Sequence, residues 1–164
     1  IIGRNRILSH TVVIHHYTLL SAKDISVSGI ILASMSDESA EKRIQRELVQ
    51  DTEDIVVDNL ERVKRLLRLN TDGKVYVKEV TKDFGTQNKI LVQLIGKLYA
   101  KTAGLAESET LETGEIADKI GANSKAVSAR LSDLREKGWV ESPSRGTHRL
   151  EAHRLETILT HLEP

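Results

Sequence analysis

Between Thr113 and Leu134 two short apolar-periodic segments meet across a single glycine, and no other feature constrains the fold as much. The first segment carries Ile116, Ala117 and Ile120 on one helical face, with Thr113 placed to cap it. The second turns Ala126, Val127, Leu131 and Leu134 inward, with Asn123 as its cap. Gly121 stands where the chain must turn sharply, and a residue without a Cβ takes positive φ there without penalty. Helices that meet near a right angle over so short a link need a small residue where they approach. Ala117 fits that place, Gly121 supplies the turn, and Val127 locks one helix onto the other.

The next residues extend the pattern. Gly138 ends the second helix after Arg135, and Trp139 and Val140 open an apolar strand. Ser142 to Thr147 holds a Pro and a Gly in a turn, and His148 to Glu151 reads as the returning strand. The Ala117, Gly121, Val127 spacing resembles the helix-turn-helix of bacterial and archaeal transcription regulators, and with the hairpin it resembles the winged form. On that resemblance residues 86–103 are the first helix, Leu111 the short edge strand, about 123–136 the recognition helix and about 139–151 the wing. Arg130 departs from the pattern, standing where many members carry an apolar residue, and Leu131 beside it can serve instead. The resemblance covers residues 86–151, and a last helix follows from Ala152 to Leu162.

What the resemblance implies is sequence-specific binding of double-stranded DNA by a transcription regulator in the cytoplasm. The N-terminal half of the second helix would enter the major groove. Helix periodicity turns Asn123, Ser124, Lys125, Ser128, Ala129 and Ser132 outward. Serine and alanine are short enough for close approach, which leaves Asn123 and Lys125 to bond base edges. Arg130 and Arg135 would hold phosphates, which position a protein without reading sequence. Arg145 at the wing tip, with Thr147, His148 and Arg149 near it, would follow the phosphates or enter a minor groove. A second reading stays open: a winged helix used for protein–protein contact in a transcription, replication or chromosome complex.

Charge is sorted along the chain although the total is zero. Asp37 to Glu61 carries 3 basic and 9 acidic residues, whereas Arg62 to Gly104 carries 10 basic and 3 acidic. Leu105 to Asp118 has 5 acidic residues and no basic one, and Lys119 to Arg154 has 8 basic and 4 acidic. Sorting of this kind builds one positive face on a neutral protein. Aromatic residues make up 3% of the chain, so the core must come from Leu, Ile, Val and Ala, which favours packed helices over a large sheet. The expected class is mainly α with a small β-hairpin: a winged helix-turn-helix domain preceded by a long amphipathic helix and a short strand.

That long helix is expected over residues 38–69, as one helix or two in sequence. Ile44, Leu48, Ile55, Val56, Leu60, Val63 and Leu67 form its apolar seam, open either to packing on its own domain or to dimerisation, and the expected partner is a second copy of the chain, in a homodimer. Asn70 to Gly73 is a turn cluster leading into a strand from Lys74 to Val80. Thr86 can cap the helix that follows, whose stripe of Ile90, Leu91, Leu94, Ile95, Leu98 and Tyr99 ends at Gly104. Lys89, Lys97 and Lys101 occupy its polar face.

Residues 1–34 hold three basic residues, one acidic residue (Asp24) and three of the six histidines, and the sole methionine is Met35. Met35 is expected to be the native start, with the first 34 residues an over-extended reading frame and a targeting leader as the alternative. The organisation expected is therefore an extension over 1–34, a helical dimerisation region with a short strand over 35–85, and the winged helix with its C-terminal helix over 86–164. No apolar run approaches the roughly 18 residues of a membrane span.

Enzyme chemistry finds no foothold in the motifs. There is no Gly-rich phosphate loop, no nucleophile elbow and no H-E-x-x-H pair. Absence of Cys removes disulfides, thiolate metal sites and a cysteine nucleophile. His148, His153 and His161 read as surface or lightly packed side chains, with no metal or cofactor expected.

Overall fold

The computed structural model describes residues 39–49 and 51–163, so the expectations for residues 1–34 lie outside the described residues. The chain divides into two compact units, one ending at Val49 and one starting at Gln50. Within the first, α1 runs over Ala40–Leu48. The Ser39 hydroxyl accepts from the amide of Lys42 to cap it, and Glu41 favours the positive end of the helix dipole. Its apolar residues Ile44 and Leu48, and Val49 just after it, are exposed.

The second unit holds the other elements of the described residues. In chain order they are α2 (Thr52–Asp58), α3 (Leu60–Leu66), β1 (Leu67–Leu69), β2 (Val75–Val77), a 3-10 turn (Glu79–Thr81), α4 (Thr86–Thr102) and β3 (Leu111–Glu112). Then come α5 (Thr113–Ile120), α6 (Ser124–Glu136), β4 (Val140–Glu141), β5 (Thr147–Leu150), a second 3-10 turn (Ala152–Arg154) and α7 (Leu155–Leu162). The described residues are thus mainly helical, with one two-stranded sheet and one three-stranded sheet among them, both antiparallel.

The long helix expected over 38–69 is three short helices and a strand. Val49 is extended, and Asp51 stands at the head of α2 with Glu53 and Asp54 in its first turn, the arrangement of a new helix start. Asn59 interrupts α2 and α3: its side-chain amide donates to the carbonyl of Ile55 at 2.9 Å, a local bond that competes with helix propagation. Leu67 leaves the helix because the Asn70–Gly73 turn closes a hairpin in which Leu67 faces Val77. The Asn70 carboxamide oxygen accepts from the amides of Asp72 and Lys74, fixing that turn. The strand expected over 74–80 is therefore shorter, and Val80 lies in the 3-10 turn.

One core runs from Ile55 to Leu162 and has α4 at its centre. Residues Ile90 to Gly96 of α4 are all buried, as are Leu98, Tyr99 and Ala100, so the helix is enclosed on every side over most of its length. Helices α5, α6 and α7 and strand β5 pack on it, and β1, β2 and α2 pack on it as well. Gly96 is what admits β2: a Cβ at this position would come within 2.5 Å of the Val75 side chain. The seam residues Ile55, Val56, Val63 and Leu67 are spent on this core, and Leu60 stays exposed. Tyr99 donates its phenol hydrogen to the carbonyl of Val56 at 2.6 Å, joining α4 to α2, and burial pushes its pKa up. At the other end of the chain, the Arg62 guanidinium grips both carboxylate oxygens of Glu163 at 3.0 and 2.8 Å and donates to Thr160.

Two caps differ from the sequence expectation. Thr86 begins α4 and Gly85 occupies the cap, while Thr113 begins α5 and the extended Glu112 occupies the cap. The Thr113 hydroxyl is drawn instead across the fold to Gly146 and His148.

Candidate nucleic-acid interface

The end of α5 sets the direction of α6. Gly121 adopts φ 64°, and the amides of Gly121 and Ala122 bond back to the carbonyls of Asp118 and Ala117, closing the helix in a Schellman turn. Two residues later the Asn123 side-chain oxygen accepts from the amide of Lys125 at 2.8 Å, and α6 starts. Val127, Leu131 and Leu134 then point into the core at 0%, 1% and 0% exposure, while Ala117 is buried where α5 meets α6. Ala126 was expected inward and is exposed; it lies about 100° around the helix from Val127, on the open side.

That open side presents Asn123, Ser124, Lys125, Ser128, Ala129 and Arg130 as exposed residues, with Ser132 half-buried and Arg135 exposed at the far end. The cap bond uses one lone pair of the Asn123 carboxamide oxygen and leaves its amide hydrogens and a second lone pair exposed. Arg130 pairs with Asp133 at 2.9 Å along the helix. Lys125 and Arg145 have no ion-pair partner among the described residues.

The hairpin after α6 packs its β5 between β3 and β4, with Leu111 opposite His148, Glu112 opposite Thr147, Val140 opposite Leu150 and Glu141 opposite Arg149. Its turn is held by serine hydroxyls. Ser142 donates to the carbonyls of Ser144 and Thr147 at 3.0 and 2.9 Å, and the Ser144 and Thr147 hydroxyls lie 2.7 Å apart. Arg145 is exposed at the tip of this turn.

Comparison with protein-family models, with curated proteins and with solved structures gave no match.

Three residues expected at the wing surface stand differently. His148 is 5% exposed, because it shares the inward face of β5 with Leu150. Its Nε2 lies 3.0 Å from the Thr113 hydroxyl, which also reaches the carbonyl of Gly146 at 3.3 Å, and its buried Nδ1 has no partner. Burial, and then the positive charge of Arg135, hold the His148 pKa below its ordinary value. Thr147 is half-buried, with its hydroxyl engaged inside the turn. Arg149 is clamped by two carboxylates, donating to Glu141 at 2.8 Å and to Glu109 at 2.7 Å. Its charge is neutralised on both sides, which raises its pKa further and takes it out of the free positive surface.

Glu109 was no part of the sequence reading of the site. The acidic run from Leu105 to Asp118 is its signal, since one carboxylate of that run closes over the only arginine of β5. Among the described residues no helix is long and apolar enough to cross a membrane, and no group of three or more His, Asp or Glu could hold a metal ion.

Proposed function

We propose that this chain is a winged helix-turn-helix protein that binds duplex DNA in a sequence-specific way and acts as a transcription regulator. One observation carries the reading. Elements α4, β3, α5, α6, β4 and β5 follow the order of that fold, and the N-terminal half of α6 is exposed over every outward residue from Asn123 to Arg130. Short side chains at Ser124, Ser128 and Ala129 let the helix backbone approach the groove closely. Lys125 on α6 and Arg145 at the hairpin tip supply cations without an internal partner, the form in which a side chain can neutralise phosphate. His148 and Thr147 serve the wing by holding its shape, and Arg149 by anchoring it to Glu109.

A module with three unpaired cations on this face, Lys125, Arg135 and Arg145, binds weakly alone, so the regulator acts as a homodimer on two half-sites. Since Ile55, Val56, Val63 and Leu67 belong to the core, the dimer contact falls to α1, where Ile44 and Leu48 share one exposed side. Titration of labelled duplex at several salt concentrations tests the DNA reading, because phosphate contacts release counterions and binding weakens steeply with salt. Lack of binding at low salt would favour a protein-contact role for the same fold.

A further inference from the structure

A cavity of about 210 Å³ opens in the second unit where α4, the end of α5 and the segment after β1 come together. We infer that it is a binding site for a small organic acid, an anion carried on an apolar body about the size of one ring. Val77, Val92 and Ile120 supply apolar wall, and Gln93 of α4 lines the same space. Gln93 is 5% exposed, and its side chain makes no hydrogen bond to any described residue. Neither amide atom is fully enclosed, so the carboxamide opens onto the cavity and takes its partner from whatever the cavity holds.

Charge selects the kind of partner. Lys82, Lys89 and Lys119 all line the cavity. Lys82 pairs with Glu79, and Lys119 pairs with Glu115 at 3.4 Å, while Lys89 has no acidic partner among the described residues. Three ammonium groups against two carboxylates leave the site one charge positive. A carboxylate on Lys89, with the Gln93 amide donating beside it, satisfies both groups at once. Apolar cavities near 150 Å³ accept a benzene ring, so this one holds a ring and its carboxylate with little to spare. The proposal stands on the cavity alone and is independent of whether α6 binds DNA.

The test uses the full chain with benzoate, benzyl alcohol and acetate as probes, read by amide NMR at the Gln93 side chain and the Ile120 backbone. Benzoate should shift both signals saturably in the millimolar range or below. Benzyl alcohol keeps the ring and acetate keeps the charge, and each should bind about tenfold more weakly. Lys89→Met keeps the aliphatic stem and should weaken benzoate about fivefold, whereas Lys97→Met on the same helix should leave it unchanged. The proposal fails if the Gln93 signals do not saturate, if benzyl alcohol matches benzoate, or if Lys89→Met binds benzoate as the parent chain does.

Discussion

The hydroxyl of Thr113 lies 3.0 Å from Nε2 of His148, and this bond ties the first turn of α5 to the inner face of β5. It joins the helix that sets the angle of α6 to the hairpin that flanks it. The bond adds to the packing of β5 on α4 and of β4 on α6 and to the short pairing of β3 with β5, which together hold the hairpin on the helices.

Acid should destabilise the fold around His148, because a charged imidazolium would be buried there near Arg135. The folded-state pKa of His148 is depressed by burial first and by Arg135 second, so protons bind the unfolded chain more readily. Its contribution is fully present above the ordinary imidazole pKa of 6.5 and is lost as the pH falls below it toward the folded value. Denaturant unfolding at a series of pH values should show stability falling between about pH 7 and 5, and His148→Gln should flatten that slope. An equal slope in both proteins would remove His148 as its source.

Gly96 and Gly114 should respond oppositely to the same substitution. At Gly96 a Cβ meets Val75 at 2.5 Å, so Gly96→Ala forces β2 away from α4 and should cost about 1–3 kcal/mol. At Gly114, inside α5, nothing lies within 4 Å of the added atom, and Gly114→Ala should stabilise by about 0.4–1 kcal/mol. Urea midpoints of the two variants check both signs in one experiment.

Arg145 and Arg149 sit four residues apart and should separate cleanly. Arg149→Ala strips Glu109 and Glu141 of their partner, so it should lower the melting temperature and leave the salt dependence of DNA binding unchanged. Arg145→Ala should do the reverse, because its side chain has no bond inside the protein among the described residues. Thermal unfolding and DNA titration on both variants distinguish the two roles.

The turn between α5 and α6 is legible in the sequence because local rules decide it. Gly121 in the left-handed region, the Asn123 cap and the inward Val127, Leu131 and Leu134 all follow from short-range spacing. The segment from 38 to 69 is not, since its seam is equally good for a long helix. What breaks it is the non-local pairing of Leu67 with Val77 and the Asn59 bond to Ile55. His148 could have been read correctly: strand alternation puts it on the same face as the apolar Leu150. The clamp on Arg149 could be half read, because hairpin register places Glu141 opposite it, while Glu109 arrives from forty residues away.

Self-association should depend on α1. Ile44 is 53% and Leu48 78% exposed, a poor state for apolar side chains unless a partner covers them. Light scattering should give a dimer mass for the parent chain and a monomer mass for Ile44→Asp with Leu48→Asp. The same mass for both would take α1 out of the assembly.

Duplex binding as a function of salt tests the central claim most directly. A duplex selected from a random pool is titrated by fluorescence anisotropy against the parent chain and against Lys125→Ala with Arg145→Ala. The account predicts a log affinity that falls linearly with log salt, and a slope reduced by about two in the double variant, one for each phosphate contact removed. Absence of binding at low salt, or an unchanged slope in the double variant, would contradict it.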